Sequence, residues 1–179
     1  SILGASMAQS IFNIPRPSVS LLNIGVEEVK GLEQIRDASN ILSNNDLFFN
    51  YQGFVEGNDI GKGEVDVVVM EGFNGNIALK TAEGTAKQIS EYFKSAINRS
   101  LLSKIGYFIA SSAFKALKDK MNPSKVNGGV FLGLNGIVIK SHGSTDPIGF
   151  ASAVDLGIDM SRSNILDKIR NNINDFRLL

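Results

Sequence analysis

Three short segments put glycine and a small polar side chain where a strand-like run hands over to a helical one. They are Asn23-Ile24-Gly25-Val26-Glu27-Glu28-Val29-Lys30-Gly31, Glu71-Gly72-Phe73-Asn74-Gly75-Asn76 and Lys140-Ser141-His142-Gly143-Ser144. Backbone N–H groups at a helix start, freed from bulky neighbours by glycine, make an anion site. In open α/β sheets such sites gather outside the carboxyl ends of the strands. Taken singly, each segment is also an ordinary strand–helix turn. Together, with one lysine and one asparagine in reach, they point to a phosphate or carboxylate ligand, with Asn23, Gly25, Gly72, Gly75, His142 and Ser144 as candidates to hold it. None of them reproduces a Walker loop or a dinucleotide fingerprint, and Gly61-Lys62-Gly63, lying before a strand, reads as a plain turn.

What is missing narrows the chemistry further. Among 179 residues there is no cysteine and one histidine, which excludes disulfides, thiolate metal sites, a cysteine nucleophile and paired-histidine zinc motifs. Ser144 next to His142 has no carboxylate at triad spacing, so a serine hydrolase is disfavoured. No metal, cofactor or nucleic-acid partner is called for. Apolar residues at 43% and charged residues at 20% describe an ordinary globular chain. No apolar run approaches the roughly 18 residues of a membrane span, and no secretory or transit pattern is evident, so a cytoplasmic protein is expected.

The elements that must hold these segments alternate. Ile2 to Phe12 reads as a helix already under way and stopped by Pro15 and Pro17, as if the domain were entered halfway. Val19 to Gly25 reads as a buried strand. Glu27 to Leu42 reads as a helix whose acidic first turn suits the dipole. Leu47 to Val55 and Val65 to Met70 read as further strands, the latter apolar enough to be covered on both faces. Helices follow from Ile77 to about Asn98 and from Ser100 to about Lys120, broken at Asn122-Pro123. Ile137 to Lys140 is a fourth strand, Ser144 or Thr145 caps a helix with Asp146 and Pro147 in its first turn, and a last helix runs from Ile165 to Phe176. The alternation predicts one α/β domain over residues 1–179 with a mostly parallel sheet, and a protruding helix pair at about 77–121.

The stretches SVSLLNIGVEEVKG, VDVVVMEGFNGNIALKTAEGTAK and GGVFLGLNGIVIKSHGSTD resemble, in this order, the C-terminal half of the bacterial acyl-ACP:phosphate acyltransferases of the PlsX type. The resemblance covers about Gly4 to Leu156 and implies a three-layer Rossmann-like fold of the isocitrate/isopropylmalate dehydrogenase kind. It implies a homodimer, loosely attached to the inner face of the membrane, that converts acyl-ACP and inorganic phosphate into acyl phosphate and acyl carrier protein for phospholipid synthesis. By position, the family's catalytic lysine falls on Lys30 and the asparagine of its glycine turn on Asn76. Lys30 would hold phosphate or a developing oxyanion as a point charge. Asn76, at a helix opening and a possible N-cap, would donate its amide to the thioester carbonyl or to phosphate. His142 belongs to the family's K-x-HGS turn and is expected to pack or line substrate rather than act as a general base. The chain departs from the pattern at Glu71, where the family has aspartate, and at Leu32, where it has asparagine. The family's N-terminal half, with its own glycine loop, has no counterpart in these residues, which is expected of a fragment or of a chain completed by another. A phosphate acetyl- or butyryltransferase using acyl-CoA, or a non-catalytic remnant docking acyl carrier protein or membrane, are the alternatives.

Net charge is zero, but it is segregated. Ten acidic residues face three basic ones between Glu27 and Glu71, whereas seven basic residues face Asp119 alone between Lys94 and Lys125. Leu101, Ile105 and Ile109 recur at helical spacing beside Arg99 and Lys104. Such a stripe is packing by default. With the local positive charge it also suits an anionic membrane surface or the acidic acyl carrier protein.

Overall fold

A computed structural model describes residues 1–120, 128–143 and 145–177 of the chain. The predicted break at Asn122-Pro123 and the candidate Ser144 lie outside the described residues. Two compact units are present, one formed by Ser1–Met70 with Val126–Leu179, the other by Glu71–Lys125.

The first unit is built on a three-stranded parallel sheet of β1 (Ser18–Leu22), β2 (Asn50–Val55) and β3 (Val67–Val69), in the order β2-β1-β3. In the central strand Val19, Ser20 and Leu21 are buried in succession, the signature of a strand covered on both faces. That role was expected of the β-branched run in β3. All of β3 is instead only partly buried, because it lies at an edge of this sheet. The start of the β1–β3 pair is fixed by a reciprocal clamp: Ser18 donates from N (2.7 Å) and Oγ (2.6 Å) to the Asp66 carboxylate, and Asp66 N donates to Ser18 Oγ (2.9 Å). These bonds to Ser18 hold the Asp66 carboxyl below its usual range. In β2 the register slips by one residue, so that Val19 faces Tyr51 and Leu21 faces Phe54, with Gly53 at φ +82° supplying the bend. Both aromatics thereby pack on the same core cluster, formed by Ala5, Val19, Leu21, Leu42, Leu47 and Phe49.

Helix α1 (Ile2–Ile11) joins this cluster to a second one. Its buried positions are small, Ala5, Ser6, Ala8 and Ser10, which allows close approach; at Gly4 an added Cβ would stand 2.8 Å from Val67 Cγ1. The second cluster centres on Met160, Ile165 and Ile169 of the two last helices, α6 (Pro147–Arg162) and α7 (Ile165–Arg177), with Leu3 and Met7 of α1 against them. Asn172 Nδ2 of α7 donates to Ser6 Oγ of α1 across 2.9 Å. Helix α6 is capped by Asp146, whose side chain accepts from Gly149 N at 2.7 Å, with Pro147 opening the first turn; among the described residues Asp146, and not Thr145, takes the N-cap position. Helix α2 (Glu33–Ser43) starts six residues later than predicted, and Glu27 and Glu28 sit in a loop rather than in its first turn.

The expected fourth strand does not extend the parallel sheet. Ile139–Lys140 forms β5, paired antiparallel with β4 (Gly129–Val130) in a separate two-stranded sheet. Only eight residues separate the two strands, too few for the crossover of about a dozen that a parallel pair requires. The fold class is α/β with a small parallel sheet.

The second unit is helical: α3 (Gly72–Asn98), α4 (Leu101–Ile109) and α5 (Ser111–Lys120). No residue of α3 or α4 is buried. Its internal contacts include an aromatic group in which Phe114 lies 6.0 Å from Phe93 and 5.0 Å from Tyr107, ring centre to ring centre. The single helix expected after Ser100 is divided at Ala110, and its start is capped by the Ser100 hydroxyl accepting from Ser103 N at 3.0 Å.

Candidate functional site

Lys30 lies in the loop that leaves the carboxyl end of β1. Asn23, the first residue beyond the strand, is buried and still belongs to the sheet edge, its N–H donating to Val55 O of β2 at 2.9 Å. Its side chain turns into the loop, where Nδ2 donates to the Lys30 carbonyl at 3.0 Å. Arg36, in the first turn of α2, donates from Nη1 to the carbonyls of Val29 (3.2 Å) and Gly31 (3.0 Å). Three consecutive loop carbonyls are thus held by side chains from the two flanking elements.

Two glycines make this packing possible. Gly31 has φ +88°, and a Cβ there would collide with the Asn23 side-chain amide. At Gly25 a Cβ would collide with the Lys30 stem and stand 2.7 Å from Glu27 Oε2. The lysine therefore lies over bare backbone.

Its ammonium is not idle. Lys30 Nζ pairs with Glu27 Oε1 at 2.8 Å, and Lys30 N donates to the Glu27 carbonyl at 3.0 Å, so one residue engages both ends of the lysine. The hydrogen bond to Glu27, with that residue's charge and the more distant charge of Glu56, raises the Lys30 pKa; the bond to Lys30 lowers that of Glu27. Both side chains are about half exposed, so water and salt screen the pair and an anion can compete for the ammonium.

The Glu71-to-Asn76 segment folds differently from its predicted turn. Helix α3 begins at Gly72, and Glu71 is its N-cap, its carboxylate accepting from Phe73 N at 2.9 Å and Asn74 N at 3.2 Å. Gly72 and Gly75 are therefore first-turn residues, and Asn76 is the fifth residue of the helix and exposed, with the cap role taken by Glu71. The freed N–H groups at this terminus, where an anion would bind, face a carboxylate supplied by the chain itself. His142 is exposed, just beyond β5. On α4, Leu101, Ile105 and Ile109 are all exposed, at 80%, 56% and 78%, as are Arg99 and Lys104.

A groove of about 480 Å³ runs along the open side of β2 past Arg16, Glu28, Asp46 and Tyr51, and Lys30 does not line it. Its mixed charges and its breadth give it no chemistry of its own, and the held lysine is the better candidate. Among the described residues no cluster of three or more histidines and carboxylates has the arrangement of a metal site. Arg36 and the Glu27 latch escaped the sequence reading. The one legible signal was the Lys-Gly pair just before a helix with an arginine in its first turn.

Known proteins supply the frame for these residues. Phosphate acyltransferase of Afipia carboxidovorans is 62% identical over 175 residues, 97% of this chain and 50% of the relative. The proteins of the same name from Agrobacterium fabrum and Azorhizobium caulinodans are 61% and 59% identical over 174 residues, each covering 97% of this chain and 49% of the relative. The chain spans about half the length of these curated relatives. The family model described as "fatty acid synthesis protein" matches residues 1–168, and with it the sheet, the Lys30 loop, the helical unit and the β4–β5 hairpin all fall inside one familial pattern. The chain belongs to the fatty acid synthesis protein family.

Proposed function

We propose that this chain serves acyl transfer to inorganic phosphate, with acyl-ACP as donor and acyl phosphate as product. The observation that carries the reading is the near-complete match of the chain to relatives named phosphate acyltransferase. A phosphate oxygen attacks the thioester carbonyl carbon, a tetrahedral oxyanion forms, the C–S bond breaks, and the carrier leaves as thiol after taking up a proton. Phosphate is itself the nucleophile, so the protein's tasks are positioning and charge neutralisation. Lys30 is the cation for phosphate or oxyanion, released from Glu27 as the anion arrives. Asn76 donates its amide to the carbonyl or to phosphate, with Gly25, Gly72, Gly75 and His142 lining the substrate. The parallel α/β core supports the further proposal of an isocitrate/isopropylmalate dehydrogenase-like fold, and a homodimer is proposed from the family resemblance alone.

The test is acyl phosphate formation from acyl-ACP and phosphate by the complete protein. Lys30→Ala should abolish it without loss of fold, and Asn76→Ala should slow it by roughly 10²–10³-fold, the scale of one oxyanion donor. Near-normal turnover in both variants removes these residues from the mechanism. A preference for acyl-CoA over acyl-ACP would redirect the donor assignment.

The proposal extends to a peripheral contact with anionic membrane through α4. Its exposed Leu101, Ile105 and Ile109 beside Arg99 and Lys104 support this reading, and no helix among the described residues is long and apolar enough to cross a membrane. Replacing Leu101 and Ile105 by glutamate should release the protein from anionic vesicles at every salt concentration. Neutralising Arg99 and Lys104 should matter chiefly at low salt, since their attraction is screened beyond about 8 Å at physiological ionic strength. A glutamate variant that unfolds, or that loses its dimer, would assign the stripe to packing instead.

A further inference from the structure

We propose that Arg36 is the positioning residue of Lys30, its guanidinium and the Asn23 amide together clamping the backbone from Val29 to Gly31 so that only the lysine side chain is left to move. The proposal rests on the assignment of Lys30 as the cation of the site.

Exposed loop carbonyls need no partner from the protein, because water satisfies them. Val29 and Lys30 are both exposed, yet their carbonyls and that of Gly31 accept from Arg36 and Asn23. Ordering these residues costs conformational entropy, which a connection with no further task would not need to bear. The clamp has a second cost. Asn23 Oδ1 is buried with no hydrogen-bond partner, since the amide is turned to bring Nδ2 onto the Lys30 carbonyl and the oxygen lies against Gly31.

The arginine is suited to this place by its shape. A single guanidinium nitrogen, Nη1, reaches both carbonyls, its two N–H directions fixed by the planar, permanently charged group, whereas those of a lysine ammonium rotate. Arg36 is itself fixed in the first turn of α2, its N–H donating to Leu32 O at 3.2 Å. Rigid helix, bridging guanidinium and loop carbonyls form one continuous path to the lysine. Beyond that path only the side chain is adjustable, lying over Gly25 and paired with Glu27.

The experiment compares wild type, Arg36→Ala and Arg36→Lys in the complete protein by two readouts. The first is the rate of acyl phosphate formation. The second is the pH dependence with which an amine-acylating reagent labels individual lysines, read by mass spectrometry. Lys62, paired with Asp59 at 2.7 Å in a separate turn, is the internal control. Arg36→Ala should lower kcat by about 10²-fold, the usual cost of a group displaced by about 1 Å. It should also shift the labelling midpoint of Lys30 to lower pH, as the Glu27 pair loosens, and leave Lys62 unchanged. Arg36→Lys, which keeps the charge but not the fixed planar N–H directions, should fall between, and it carries the test if the alanine variant does not fold. Unchanged labelling of Lys30 in folded variants overturns the proposal whatever the rate does, as does a wild-type rate in Arg36→Ala. Full activity in Lys30→Ala would instead sink the assignment of Lys30, while the labelling shift would still report on the clamp.

Discussion

The Lys30 loop and the first turn of α3 both hold a glutamate where the proposed anionic ligand would sit, yet they are built in opposite ways. Around Lys30 the backbone is held by two side chains from outside the loop, and Glu27 engages the half-exposed ammonium and the Lys30 N–H. At α3 the glutamate is itself the holding group, since Glu71 caps a helix that buries none of its residues. Removing Glu27 should therefore free a prepared cation, whereas removing Glu71 should loosen the turn that an anion would need. A counter-ion inside a rigid frame acts as a latch, and a counter-ion that is the frame acts as a support.

The contrast is broken most severely by the same substitution made in both regions. Gly31→Ala forces a side chain into a backbone at φ +88° and into Asn23, and should cost about 1–3 kcal/mol of stability together with most of the turnover. Gly72→Ala meets nothing within 4 Å and should instead stabilise α3 by roughly 0.5–1 kcal/mol. Urea denaturation of the two variants reads the opposite signs, and equal shifts would mean that the loop is no more constrained than the helix start.

Next in size is the support itself. Glu71→Ala should weaken the α3 start by about 1 kcal/mol, the ordinary value of an N-cap. Faster hydrogen exchange should follow at Phe73 and Asn74, whose N–H groups it binds. Unaltered exchange there would show that another group takes over the cap.

The smallest effect concerns the latch. Glu27→Gln removes the competing charge and should lower the KM for phosphate by about two- to fivefold, in keeping with an exposed ion pair. Glu27 titrates below 4.5 because Lys30 stabilises its charged form. Its contribution is thus present above the carboxylate range and lost as pH falls through the depressed value. Lys30, raised above 10.5, keeps its share of the pair through neutrality and loses it only as pH rises past that raised value. The difference between wild type and Glu27→Gln should accordingly close as pH drops below 4.5. A KM that rises in Glu27→Gln would make the glutamate part of the phosphate site rather than its rival.

Much of the fold could be read from residue order. The β-branched and aromatic runs gave all three strands of the parallel sheet, and Pro15, Pro17 and Asn98-Arg99 marked real helix ends. The errors have separate causes. Whether β1 or β3 is buried on both faces depends on which lies in the middle of the sheet, and local apolarity does not encode strand order. The start of α3 was misplaced because Gly72 and Gly75 have low helix propensity, which a carboxylate cap overrode. In the candidate site, Lys30 was reached through familial resemblance. Its geometry was not legible, because Arg36 acts across a helix start on carbonyls that have no side-chain identity in a sequence.

The pairing of α1 with α7 sets an order of events during synthesis. Ser6 and its partner Asn172 are 166 residues apart, so the small-residue face of α1 is covered only after almost the whole described chain has left the ribosome. Until then Ala5 has its partners in the sheet cluster but not those on α7, and the intervening Glu71–Lys125 unit is made first. An excursion of that kind costs little equilibrium stability when lengthened, about 0.6 kcal/mol for each doubling. Its cost is time, because distant contacts form late and leave apolar surface open while they wait. In a pulse-labelled nascent chain, protection of α1 amides should therefore appear with the emergence of α7 and not with that of the parallel sheet.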